Sequence, residues 1–413
     1  MHRAVRSVGL SLGLAVGLLA VPASALALPH SNAHGLSSRH VCAAPTAGQA
    51  SCDALRVTTS TGKTFKAKPT PNATIAGYHP ADLQSAYNLA TASAGSGAGQ
   101  TVAIVDAYND PYAASDVATY RSQFGLPALG TCSLSTGKVS SQTACFAQVS
   151  QTGSTTSLPR SNASWSQEIS LDLDMVSAVC PKCNILLVEA SSASMTNLGT
   201  AVNEAVKLGA TEVSNSYGGS ESSSDTKYDS SYFNHAGVDI TASSGDSGYG
   251  VEYPAASIYV TSVGGTTLNQ ASNARGWSET AWSSAGSGCS AYDPQPSWQA
   301  GAFSTSLCGN RAVADVSADA DPNTGVSVYD SYAYQGYKGW MVFGGTSVAS
   351  PITASVYALA GGGAPVGNPY SHTSSLNDVT SGSNGSCGNA LCTAGPGWDG
   401  PTGLGTPNGT GAF

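Results

Sequence analysis

The sequence predicts an α/β fold, a parallel sheet with helices on both faces in a single large domain, and three observations predict it. Beyond residue 100, short apolar runs bounded by Gly and Ser alternate with runs of helical spacing, the pattern left when helical crossovers join buried parallel strands. Hydrophobic residues make up 41% of the 413, enough for a core, while 48 Gly and many Ser and Thr fill the connections. No segment repeats with a period of about 20 to 50 residues, which disfavours solenoids and propellers.

Taken in order, residues 1–27 have the layout of a secretory signal peptide: Arg3 and Arg6, an apolar run at 8–21, then the small residues Ala23, Ala25 and Ala27. That run is short for a membrane span, and no later stretch reaches about 18 apolar residues, so the expected product is a secreted, extracellular protein with no membrane partner. Residues 28–79 are polar and weakly periodic, as in a short pro-segment or an N-terminal extension. Residues 80–413 form the expected domain. In it, a strand at 101–106 precedes a helix at 113–124, a strand at 184–188 precedes a helix at 195–207, and strands at 212–214 and 238–242 flank a helical stretch. Ser164 to Gln167 reads as a capping box, and Ile169, Leu173 and Val176 follow at helical spacing.

Only 10% of residues are charged, against roughly 25% in ordinary soluble proteins. The net charge is -9 and no Lys/Arg cluster offers a phosphate-binding footprint, which argues against a nucleic-acid partner. Ten cysteines in an exported chain favour disulfides. Sequence neighbours suggest Cys42 with Cys52, Cys132 with Cys145, Cys180 with Cys183, Cys289 with Cys308 and Cys387 with Cys392. Cys180 and Cys183 follow a helix and precede a strand, the reverse of a redox pair opening a helix, so a local bridge is the stronger reading.

Gly345-Thr346-Ser347-Val348-Ala349-Ser350-Pro351 stands before an apolar helical run at 352–360. A Ser at the N-terminus of a buried helix sits near unpaired amides and the positive end of the dipole, which makes Ser347 a candidate nucleophile; the plain alternative is a capping residue. Of the seven histidines only His235 lies deep in the α/β region, and its setting suits a helix end better than a catalytic base. Glu168 and Asp172 are four residues apart and share a helix face, with no Lys or Arg from Ser161 to Pro181 to neutralise them. They are either a solvated acidic face or a pair that shares a proton in a cleft, with Glu168 taking a proton from Ser347 and Asp172 polarising it.

Asp246, in Ser243-Ser244-Gly245-Asp246-Ser247-Gly248, ends the strand that begins near 238, where α/β sites form. Protonated, it could donate to an oxyanion; a turn residue is the alternative. Tyr249 breaks the trypsin-like reading of Ser247. Asp378 and Asp399, among Gly-rich loops, match the oxygen ligation of calcium; plain turns are the alternative.

Together these segments resemble the sedolisin family, the serine-carboxyl peptidases with a subtilisin-like fold, over most of residues 80–407. The resemblance implies Glu168 as general base, Asp172 as its partner, Asp246 in the oxyanion hole and Ser347 as nucleophile. It further implies one structural Ca2+ held by the carboxylates of Asp378 and Asp399 and the backbone carbonyls of Val379, Gly395 and Gly397. Ser216-Tyr217-Gly218 resembles the strand that pairs with peptide substrate, and the segment 311–325 is similar to another in the family. Asp106 is read as a strand-end structural residue. The expectation is a secreted, monomeric serine-type endopeptidase, made as a zymogen, cutting proteins or peptides at acidic pH. A His-dependent subtilisin-like hydrolase and an inert binding module of the same fold are the alternatives. Two departures stand out: a short N-terminal segment in place of a long prodomain, and Gly344 where Ser is common.

Overall fold

The computed structural model describes residues 1, 36–59, 75–141 and 143–413; residues 2–27 of the expected signal segment, with His2, lie outside them, as do His30 and His34. The central sheet has the strand order Trp277–Ala281, Thr261–Gln270, Asp239–Ser243, Glu212–Asn215, Thr101–Ala107, Asn184–Ala190, Cys145–Ser150, Gly130–Thr131. Every pairing along this path is parallel except that of the edge strand Trp277–Ala281. Thr101–Ala107 and Asn184–Ala190 are buried throughout, which is why they read as unbroken apolar runs rather than alternating ones.

The expected helices form at Ala113–Gln123, Met195–Lys207 and Thr346–Ala360. The stretch before residue 238 is only one turn, Asp225–Tyr228, running into a π-helical segment, Asp229–Phe233. The helix Ala163–Val179 begins two residues earlier than the capping box suggested. Its cap is Asn162, whose side chain accepts from the backbone N–H of Ser164 at 3.0 Å and of Trp165 at 3.4 Å. Every residue of it from Trp165 on is buried, because it packs against the equally buried helix Thr346–Ala360 and the strand Val326–Tyr334.

Residues 36–59 belong to the expected pro-segment or N-terminal extension. They form the strands Leu36–His40, Ser51–Cys52 and Leu55–Thr59. Leu36–His40 and Leu55–Thr59 pair with each other, and the latter also pairs with Tyr337–Gly344. Alternation over so few residues is a weak signal, and Tyr337–Gly344, one partner of Leu55–Thr59, lies almost 300 positions downstream. All five neighbouring cysteine pairs are bridged. Among the described residues no helix is long and apolar enough to cross a membrane.

Candidate active site

The helix Thr346–Ala360 carries Ser347 in its first turn, buried under the C-terminal ends of the parallel strands. Gly345 precedes it at φ +102°, and a Cβ there would run into the carbonyl oxygen of Asp53 and come within 2.6 Å of Asp246 Oδ2, so the position requires glycine. Pro351 lies four residues on and has no N–H for the carbonyl of Ser347. That carbonyl faces Ser216 Oγ at 3.4 Å instead, while the single proton of the Ser216 hydroxyl goes to Asp172 Oδ1 at 2.8 Å. Ser347 Oγ in turn donates to the Ser216 carbonyl at 3.4 Å.

Glu168 and Asp172 project from the neighbouring helix into this space, both wholly buried. The solvated-face alternative is thereby excluded. Burial first, then the charges of Asp172 and Asp106, raises the proton affinity of Glu168 well above the ordinary carboxylate range; the Ser347 hydroxyl opposes that rise. Neither oxygen of Glu168 has a hydrogen-bond partner in the resting arrangement. Asp172 is raised by burial and eased by Ser216. Asp106 turns out to stand in the same array: it is buried, both of its oxygens are unpartnered, and burial, Asp172 and Glu189 push its pKa up. Its place at a strand end was legible, but its proximity to a helix sixty residues away was not.

Asp246 comes from the loop after Asp239–Ser243. Its Oδ1 accepts from Thr346 N–H at 2.8 Å and Thr346 Oγ1 at 2.9 Å, so this oxygen is pinned. Oδ2 is buried without a partner, and burial with Glu252 nearby raises the group well above its ordinary pKa despite the Thr346 bonds. A proton on Oδ2 can therefore be donated to a developing oxyanion beside Gly345. Ser216 and Thr346 were named only within their motifs, not as partners of Asp172 and Asp246, and Glu252 was missed, because a side chain reached through the fold carries no local signal.

His235 bonds Asn203 Oδ1 at 2.8 Å and the Tyr232 carbonyl at 3.1 Å, which makes it a helix-end residue. His79 caps the helix Pro80–Ala86, and His372 caps a carbonyl of its own turn. Among the described residues no histidine hydrogen-bonds Ser347.

At the opposite loops, Asp378 Oδ2 accepts from Gly397 N–H at 2.9 Å and Asp399 Oδ2 from Gly395 N–H at 3.0 Å. Asp399 is buried, and burial together with the charge of Asp378 pushes its pKa up to about 7. Neither carboxylate belongs to an ion pair among the described residues. Two facing acidic side chains and nearby loop carbonyls, Val379 among them, fit a hard cation with oxygen ligands.

The chain matches the subtilase family over residues 144–380, more than half its length. It is 28% identical to sedolisin of Pseudomonas sp. (strain 101), over 84% of this chain and 62% of that protein. Kumamolisin of Bacillus sp. (strain MN-32) is 31% identical over 80% of this chain and 62% of its own length. The chain thus spans less than two thirds of these relatives. A solved structure of Pseudomonas sedolisin, a serine-carboxyl proteinase complexed with pseudo-iodotyrostatin, aligns over 81% of this chain and 96% of its own with a TM-score of 0.66 at 27% identity.

Proposed function

Because the chain belongs to the sedolisins within the subtilase family, we propose that it is a serine-type endopeptidase that cuts proteins or peptides at acidic pH through Ser347, Glu168, Asp172 and Asp246. One observation carries the reading: a buried helix-end serine faces a buried carboxyl array, and among the described residues no imidazole hydrogen-bonds it. Ser347 Oγ attacks the peptide carbonyl while Glu168 takes its proton; Glu168 then returns a proton to the leaving amine and an acyl-enzyme forms. Asp172, fixed by Ser216, holds Glu168 through its field. Glu168, Asp172 and Asp106 titrate as a unit, each ionisation raising the proton affinity of its neighbours. Protonated Asp246 and the Ser347 amide stabilise the oxyanion.

A structural calcium at Asp378, Val379, Gly395, Gly397 and Asp399, secretion behind residues 1–27, a short pro-segment or N-terminal extension at residues 28–79 and a monomeric state belong to the same proposal. Calcium would supply charge neutralisation between the two loops and take no part in the chemistry.

Ser347→Ala and Glu168→Gln each lower kcat by about 10^4-fold or more while leaving circular dichroism unchanged. His235→Ala retains full activity. Turnover that survives loss of Ser347, or vanishes with His235, contradicts the proposal.

A further inference from the structure

The strand Ser51–Cys52 enters the cleft and pairs antiparallel with Tyr217–Ser220, Ser51 opposite Gly218 and Cys52 opposite Tyr217. One residue further, Asp53 N–H donates to the Ser216 carbonyl at 3.3 Å. That same oxygen accepts from Ser347 Oγ at 3.4 Å, so two donors converge on it and the Asp53 backbone lies against the nucleophile. The Asp53 carbonyl oxygen crowds the Cα of Gly345, on the side to which Asp246 turns its free Oδ2. Beyond Ala54 the chain leaves as Leu55–Thr59, anchored by pairing of Leu55 with Gly344 and Arg56 with Phe343. The bond between Asp53 and Ala54 is thus held between two fixed strands, across the site where a scissile carbonyl belongs.

The Asp53 side chain fills a pocket beside the strand ends. It is 5% exposed, and its Oδ2 accepts from Ser243 Oγ at 2.6 Å. Burial, then Glu252 and Asp246, raises its pKa well above the ordinary range, and Glu252 itself is pushed up to about 7. A Cβ on Gly245 would come within 2.8 Å of Glu252 Cδ, so glycine leaves room for that carboxyl. The cleft next to it, about 130 Å3, is lined by His40, Asp53, Gly218, Asp246 and Glu252 among others, and by no Lys or Arg. In acid this pocket keeps its carboxyls protonated, with the part-buried imidazole of His40 as its basic group, and its hydroxyl and carboxyl groups hydrogen-bond a protonated acid. It then holds no anion for a Lys or Arg side chain.

Resting on the peptidase reading above, we infer that the Asp53–Ala54 bond is the chain's own first substrate and that the primary specificity pocket selects Asp and Glu side chains. Ser347 Oγ adds to the Asp53 carbonyl carbon as Glu168 takes its proton. The C–N bond breaks and that proton passes to the Ala54 nitrogen. Water then cleaves the ester, restoring the Ser347 hydroxyl and leaving Asp53 with a free α-carboxyl. The Cys42–Cys52 bridge lies wholly within the departing segment.

The full chain is incubated in acid and its termini read by mass spectrometry after denaturation. A new N-terminus at Ala54 is expected in wild type and Asp53→Glu, at least tenfold slower in Asp53→Lys, and absent in Ser347→Ala. In parallel, the same wild-type preparation is assayed on quenched peptides that differ only in the residue before the cut, with kcat/KM at least tenfold higher for Asp or Glu than for Lys or Arg. Peptide cleavage without an Ala54 terminus, or a flat or basic preference, overturns the inference and leaves the peptidase reading standing. Wild type that cuts neither itself nor any peptide, like Ser347→Ala, overturns the peptidase reading.

Discussion

At the scale of single residues, the site works by denying partners to particular oxygens. Thr346 occupies one oxygen of Asp246 and leaves the other buried and bare, which makes that carboxyl a donor in acid. Asp246→Ala removes this donor and lowers kcat by about 10²- to 10³-fold with little change in KM, read from Michaelis kinetics at acidic pH. Ser347, Glu168, Asp172 and Asp246 were legible because each sits at a fixed offset within a short motif. The hold of Ser216 on Asp172 and the place of Asp53 were not: Ser216 reads only as part of a substrate-pairing strand, and Asp53 carries no motif, until pairing across the fold brings both to Ser347.

At the scale of elements, the helix pair that carries the proposed catalytic residues was readable because local periodicity predicts helices and their buried faces. The strap at residues 36–59 escaped for the opposite reason. Its strands are two to five residues long and gain their stability from partners far along the chain; pairing of this kind leaves no local pattern. The Cys42–Cys52 spacing and the alternation in Leu55-Arg56-Val57-Thr58 are the signals that could have marked it. The calcium loops are the other element argued from sparse residues. Chelation lowers the melting temperature before it lowers activity, and Asp378→Asn reproduces the shift without chelator; an unchanged melting temperature in both removes the ion from the account.

At the scale of the whole molecule, the low charge content has a counterpart in the interior, where many of the acidic groups are buried. Burial raises Glu189 from 4.5 to about 8, and Asp330 from 3.8 to about 8 with help from Asp110. The folded chain therefore keeps protons that the unfolded chain has released over the interval from about pH 4 to pH 8. The folded state binds more protons there, so stability is full below the unfolded values and falls as pH rises toward the folded ones, by about 1.4 kcal/mol per pH unit for each such group. Urea midpoints measured across this window should fall steadily with rising pH, and a midpoint that rises contradicts these assignments.

The most direct test of the central claim is the pH dependence of kcat/KM on one peptide substrate. Carboxylate catalysis predicts a maximum in acid, with loss as pH rises because Asp246 ionises and no longer donates to the oxyanion. A maximum at or above neutrality would contradict it.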